Sequence, residues 1–242
     1  IYTLSLHDAL PISFIIREGQ SCSVPGRSIK DSIHMLRNSI DYIQQKDLKC
    51  AFVSLDQSKA FDRISHAYLS KVLEAFNFGP SFKRWIQVLY TDVESSVLVN
   101  GFVSSAFSVS RSVRQGCSLS PLLYVLCAEP LAIKVRLDKE IYGLRMPGTA
   151  EQVKLVQYAD DTTYIVTHEP SIRRILVLNE CYGLASGAQV NKEKSFGLWL
   201  GRWSSRTDII CELKWTNKPC KSLGVFLGLR DLDNCNWEHV SN

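Results

Sequence analysis

Two adjacent carboxylates, Asp160 and Asp161, lie between an apolar run, Leu155-Val-Gln-Tyr158, and a β-branched run, Thr162, Thr163, Ile165 and Val166. That pattern predicts a hairpin whose tight turn carries the acids. Neighbouring carboxylates repel and lose hydration when half buried, and a hard divalent cation offsets both costs best. The competing reading is a polar turn, where aspartate is common. A third acid favours chemistry. Residues Cys50 to Asp62 read Cys-Ala-Phe-Val-Ser-Leu-Asp56-Gln-Ser-Lys59-Ala-Phe61-Asp62, an apolar strand that ends in Asp56 and turns toward a helix. Carboxylates on separate rigid strands, converging on Mg²⁺ ions roughly 3.5–4 Å apart, are what two-metal phosphoryl transfer requires. One ion would activate the attacking hydroxyl and the other would hold the leaving oxygens.

The elements that must position these acids are legible in outline. Pro25-Gly26-Arg27 is a turn, Ser28 with Asp31 makes a capping box, and Ile29, Ile33, Leu36, Ile40 and Ile43 repeat at helical spacing. After Asp56 comes a helix with Leu69, Val72, Leu73 and Phe76 on one face, stopped by Gly79-Pro80. A second follows, with Phe82, Trp85, Ile86 and Leu89 inward. Asn100-Gly101 between alternating segments predicts a type I′ hairpin. Ser120 and Pro121 read as N-cap and first residue of a long apolar helix. Beyond the acids, residues 171–185 are helical with Ile172, Ile175, Leu176 and Leu184 inward, stopped by Gly187. Strands follow at Phe196 to Leu200 and around Leu223 to Leu227. The mixture predicts an α+β fold, an antiparallel sheet with helices packed on one face.

Composition excludes several alternatives. A chain of 242 residues with 45% apolar and 21% charged side chains is globular rather than disordered. Its 28 Lys and Arg against 24 Asp and Glu, a formal +4, tolerates a polyanionic partner without requiring one. Eight cysteines form no Cys-x-x-Cys pair, and several sit in apolar runs, as buried reduced thiols of an intracellular protein do. The longest apolar stretch, Pro121 to Ile133, is cut by Glu129 and Pro130 and is too short to span a bilayer. Residues 1–13 lack a secretion signal. A cytoplasmic or nuclear location and no membrane partner are expected.

Taken together, the motifs resemble the reverse transcriptase of non-LTR, LINE-type retrotransposons. Four blocks carry the resemblance: Leu55-Asp56-Gln-Ser-Lys59-Ala60-Phe61-Asp62; Arg114-Gln115-Gly116-Cys117-Ser-Leu-Ser120-Pro121-Leu122; Tyr158-Ala159-Asp160-Asp161; and Ser186-Gly187 with Asn191, Lys192, Lys194 and Ser195. Val24-Pro25-Gly26-Arg27-Ser28-Ile29 and Leu223-Gly224-Val225-Phe226-Leu227-Gly228 fit the flanks. The resemblance spans roughly Ile15 to Trp237, and the combination is far more specific than any one block. It implies a right-hand polymerase palm with partial fingers and the start of a thumb. In these terms residues 1–13 are unassigned, 14–201 form the fingers and palm core, and 202–242 form a truncated palm–thumb junction.

The resemblance also implies roles. Asp56 and Asp160 would bind two Mg²⁺ ions, with Mn²⁺ as a possible substitute, and Asp161 would support the site or share the metal. Phe61 would lie beneath the incoming sugar and exclude a 2′-hydroxyl; a core phenylalanine is its alternative. Gln115 and Gly116 match the loop against the incoming nucleotide and template, where glycine permits close backbone approach. Tyr158 and Ala159 fall on the same substrate side. For Arg114 a phosphate contact competes with a plain surface charge. For Lys194, protonation of the departing pyrophosphate competes with a solvated lysine. Lys59 and Asp62 are read as structural, a local ion pair. The expected partners are an RNA template, a DNA primer and dNTPs. The basic fingers segment before Val24, the thumb and any endonuclease are not recognised, so a fragment is expected. An inactive remnant that only folds or binds RNA, or another palm polymerase such as an intron maturase, are the alternatives.

Overall fold

The computed structural model describes residues 12–114, 116–148 and 151–228. The chain opens with α1 (Ile12–Ile15) and α2 (Ile29–Gln45), then runs through β1 (Lys49–Gln57), α3 (Ala60–Arg63), α4 (His66–Ala75) and α5 (Pro80–Tyr90). Short strands β2 (Glu94–Ser95), β3 (Leu98–Val99), β4 (Phe102–Val103) and β5 (Phe107–Ser108) form a ladder of two hairpin pairs. The long helix α6 (Ser120–Leu137) leads to the acidic hairpin, β6 (Leu155–Tyr158) and β7 (Asp161–Val166). α7 (Pro170–Ser186), β8 (Val190–Gly201), β9 (Lys214–Thr216), β10 (Cys220–Ser222) and β11 (Val225–Leu227) complete it.

One sheet in the order β6-β7-β1-β8-β9 organises these elements. Its pairs are antiparallel except β8 with β9, so the sheet is mixed rather than wholly antiparallel. Nor do the helices keep to one face. Along β1 the side chains alternate: Ala51, Val53 and Leu55 pack with α6 and α7, whereas Cys50 and Phe52 pack with Leu36, Ile40 and Ile43 of α2. Burial on both faces is why β1 reads as a continuous apolar run.

Local signals held where their partners are local. The Asp31 carboxylate accepts the Ser28 N–H at 2.6 Å, closing the capping box, and Asn100 and Gly101 take φ of +50° and +84°, as a type I′ turn requires. Other expectations are corrected. α6 starts at Ser120 itself, with Leu119 as its cap residue. Trp85 and Leu89 on α5 are half exposed, and Leu184 on α7 is 90% exposed, since no described residue packs over those faces. Cys117 and Cys181 are exposed rather than buried, although no disulfide forms among the described residues. No ion pair joins Lys59 to Asp62 among the described residues. Cys235 and Trp237 lie outside the described residues. No described helix is long and apolar enough to cross a membrane.

On the α6/α7 face the sheet is anchored by Trp199 of β8, which is fully buried. It stacks on Trp215 at 3.9 Å between centroids and meets Trp203 edge-on at 5.7 Å, and the Arg206 guanidinium lies 4.4 Å from its centre. Gly197 leaves the space that the Trp215 ring fills. Trp199→Ala should therefore cost about 3–5 kcal/mol. The check is a lower urea midpoint by far-UV circular dichroism, with the denaturant slope unchanged.

Candidate active site

The hairpin register creates the site. Tyr158 pairs with Asp161, so the tight turn consists of Ala159 and Asp160, and Asp161 is the first residue of β7. β7 pairs in turn with β1, where Leu55 faces Thr162. One step further along, Asp56 and Asp161 stand on adjacent strands at the same end of the sheet. Ala159 has φ +54°, the left-handed conformation that two-residue hairpin turns demand of their first central residue. The Thr162 hydroxyl donates to the Asp160 carbonyl at 3.4 Å and accepts from the Gln157 amide at 3.1 Å, bracing the turn from within.

β8 holds Asp56 from the other side. Asn191 pairs with Asp56 and Phe196 with Ser54, so residues 192–195 bulge out of the ladder. Within that bulge the Ser195 hydroxyl donates to the Asn191 carbonyl at 2.7 Å and accepts the Asp56 N–H at 3.1 Å. Lys194 projects from the same bulge, exposed and without an ion pair among the described residues. Lys192, its neighbour, is occupied by Glu212 at 2.8 Å.

Charge at this corner is uncompensated. No lysine or arginine pairs with Asp56, Asp160 or Asp161 among the described residues. Burial holds the Asp160 carboxyl above its ordinary range, and the Asp56 charge pushes it further. Asp161 is raised in the same way by desolvation, then by Asp160 and Asp56, even though its side chain keeps solvent contact. A set of oxygen donors in that condition suits a hard divalent cation. Among the described residues, however, no three acidic, histidine or cysteine side chains are already grouped as a cation site. The acids share a corner but are not drawn together into a cage.

The flanking residues are distributed as follows. Phe61 is half buried and stacks on Tyr124 of α6, with centroids 4.6 Å apart and planes 16° from parallel. Its carbonyl accepts the Val113 N–H at 2.8 Å, which lays that stretch of backbone beside it. Tyr124 is raised well above the usual phenol range, by burial first and then by the Asp160 charge, so it too borders the acids. Gly116 has φ +82° and open space around it. Arg114 is exposed and lines a cleft of about 540 Å³ with His66, Tyr90 and Glu94. Gln115 lies outside the described residues. Sequence reasoning missed Tyr124, which sits among apolar residues of α6, and Gln20, whose side chain hydrogen-bonds Ala159. Neither belongs to a local pattern.

Raised carboxyl pKa values carry a stability sign. Asp160 and Asp161 bind protons more tightly folded than unfolded, so this contribution is intact below the unfolded carboxyl pKa and is lost as pH rises through the folded values. Removing the Asp56 charge relieves that loss. In metal-free buffer at neutral pH, Asp56→Asn should raise the melting temperature by about 2–4 °C, the response of a domain this size to roughly 1 kcal/mol. Calorimetry at neutral pH and below about pH 4 checks it, because the gain must fade as Asp160 and Asp161 become protonated.

Comparison with known proteins identifies the family. The reverse transcriptase (RNA-dependent DNA polymerase) family matches residues 4–227. Over 94% of the chain the sequence is 35% identical to the Transposon TX1 uncharacterized 149 kDa protein of Xenopus laevis, of which it spans 17%. It is 27% identical, over 73% of the chain and 28% of the relative, to a retrovirus-related Pol polyprotein from the type-1 retrotransposable element R2 of Popillia japonica. Among solved structures, telomerase from Candida albicans, in complex with a TWJ fragment of telomeric RNA, superposes with a TM-score of 0.62. That match has 14% identity and covers 93% of this chain and 36% of the other. Apo telomerase from Candida tropicalis gives a TM-score of 0.61 at 14% identity, over 94% and 40% of the two chains. At such identity the likeness establishes the fold, a right-hand polymerase palm. With the acidic hairpin beside the strand-end aspartate and a family match over nearly its whole length, the chain belongs to the reverse transcriptase family, as a domain of the non-LTR retrotransposon type.

Proposed function

We propose that this chain is the palm of an RNA-directed DNA polymerase that extends a primer 3′-hydroxyl with dNTPs on an RNA template. The observation that carries the reading is the uncompensated acid corner, where strand pairing sets Asp56 beside the Asp160–Asp161 hairpin. In this reading the primer hydroxyl attacks the α-phosphate in line, a phosphoester bond forms, and pyrophosphate departs. Asp56 and Asp160 would hold the divalent ions, with Asp161 supporting them. When bound, the ions would ease deprotonation of the hydroxyl and neutralise the charge developing on the phosphate.

The remaining residues take roles that their positions allow. Phe61, fixed by its stack on Tyr124, presents a rigid edge to the incoming sugar and disfavours a 2′-hydroxyl. Gly116, without a side chain on an open loop, lets the backbone approach the nascent base pair. Lys194, exposed on the β8 bulge with no ion pair among the described residues, would protonate pyrophosphate. Gln115, Tyr158 and Ala159 fall on the nucleotide and template side. Residues 14–201 make the working core, and the chain from 202 onward leads toward a thumb.

Primer extension by the full-length parent on an RNA template with Mg²⁺ tests the assignment. Asp160→Ala should lower incorporation by about 10²–10³-fold or more, the scale on which removal of a charge-stabilising group acts; normal extension by that variant would refute the reading. Phe61→Ala should leave dNTP incorporation largely intact while weakening discrimination against ribonucleotides by about ten- to a hundredfold. Competition between dNTP and rNTP pools measures it, and unchanged discrimination would reduce Phe61 to a core residue.

A further inference from the structure

A residue outside the polymerase reading grips the acid turn. Gln20 is 1% exposed, and its side-chain amide pairs with both polar groups of Ala159. The Ala159 N–H donates to Oε1 at 3.1 Å, and Nε2 donates to the Ala159 carbonyl at 3.3 Å. Oε1 also accepts the Cys22 N–H at 2.9 Å. The amide thus imitates one more residue of a β ladder, laid against the one position of the hairpin with positive φ. Left-handed backbone is unfavourable for alanine and persists where its surroundings fix it.

The segment that delivers Gln20 is itself anchored. Gln20 bridges Gln157 in parallel, with Gln157 N–H donating to the Gly19 carbonyl at 2.6 Å and Ser21 N–H to the Gln157 carbonyl at 3.2 Å. The Arg27 guanidinium donates to the carbonyls of Ile16, Arg17 and Gln20 at 3.0, 2.7 and 2.8 Å. Arg136 donates to the Glu18 carbonyl at 3.1 Å. Few other side chains would serve at position 20. A lysine has no acceptor for the Ala159 N–H, an asparagine is one methylene short, and a carboxylate would add charge beside Asp160.

We propose that Gln20 is a positioning residue: its amide clamps the Ala159–Asp160 turn, holds Asp160 at one spacing from Asp56, and thereby sets the affinity of the acid corner for a divalent cation. The cation clause rests on the reading of that corner as a metal site; the clamp does not.

Gln20→Met tests both, because it keeps the buried volume while deleting every hydrogen bond of the amide. Hydrogen exchange on this chain should show the Ala159 amide exchanging about tenfold faster, with β1 and β8 unchanged. Mn²⁺ binding, followed by electron paramagnetic resonance, should weaken about tenfold against wild type, with Asp160→Asn as the control that abolishes it. If exchange in the turn stays at the wild-type rate, or rises equally across the whole sheet, the clamp is overturned. Local release of the turn with unchanged Mn²⁺ affinity overturns the link to the cation. Local release in a chain whose wild type binds no Mn²⁺ upholds the clamp and sinks the metal reading of the corner instead.

Discussion

Repulsion among Asp56, Asp160 and Asp161 is resisted by the ladder between β1 and β7, in which Leu55 faces Thr162, and by the hairpin pairing of Tyr158 with Asp161. Each strand contributes its acid at the same sheet end. Neither strand can slide to relieve the charge, because a one-residue slip would move every side chain to the opposite face of the sheet and mismatch its packing. For β1 the penalty is double: Ala51, Val53 and Leu55 are buried on one face, Cys50 and Phe52 on the other. Apolar packing on both sides is therefore what keeps like charges together.

Burial and mutual repulsion hold the corner's carboxyls, Asp160 and Asp161, above their ordinary range, while tight packing lies elsewhere. Trp199, Trp203 and Trp215 with Arg206 fasten β8 and β9 on the face that α7 covers. At the end of β8 nearest the acids, regular pairing gives way to the 192–195 bulge. There the Ser195 hydroxyl substitutes for a ladder bond by accepting the Asp56 N–H. A bulge re-aims side chains without loosening the strand that follows, and here it leaves Lys194 exposed while Phe196 to Leu200 remain paired with β1. The carboxylates are left crowded at the sheet end, and the neighbouring core is packed tightly enough to tolerate it.

What the sequence made legible was whatever depends on near neighbours. The capping box of Ser28 and Asp31, the Asn100-Gly101 turn and the acidic hairpin are set by residues a few positions apart, and each appears as read. The pairing of Asp56 with the acidic hairpin was inferred from residue chemistry, not from any local signal. Periodicity failed where a helix face has no partner among the described residues: Trp85, Leu89 and Leu184 lie on the stripes that spacing predicts, yet remain exposed. It could not show that α2 crosses to the other face of the sheet, since amphipathicity names a buried side and not its neighbour. Gln20 was illegible for the same reason. Its partner Ala159 is 139 positions away, and a glutamine in a short polar stretch carries no pattern.

The strap formed by Ile16 to Ser21 ties the acid corner to a second charged site within the core. Glu129 in α6 is 1% exposed, and burial raises its carboxyl despite Arg136 at 2.6 Å. Its Oε1 also accepts the Arg17 N–H at 3.3 Å. Arg136 in turn reaches the Glu18 carbonyl, so one guanidinium both neutralises the buried carboxylate and fastens the strap. An ion pair so enclosed gains little over an apolar pair, yet losing one partner leaves a stranded charge at a cost of about 3–5 kcal/mol. Its presence is better explained by placement than by stability. Oriented between α6 and the strap, the pair fixes where Gly19 and Gln20 meet β6, and hence where the Ala159 turn and Asp160 come to rest. The acids at positions 56 and 160 are thus held by strand register from one side, and from the other by a chain of hydrogen bonds that begins at a buried carboxylate in α6.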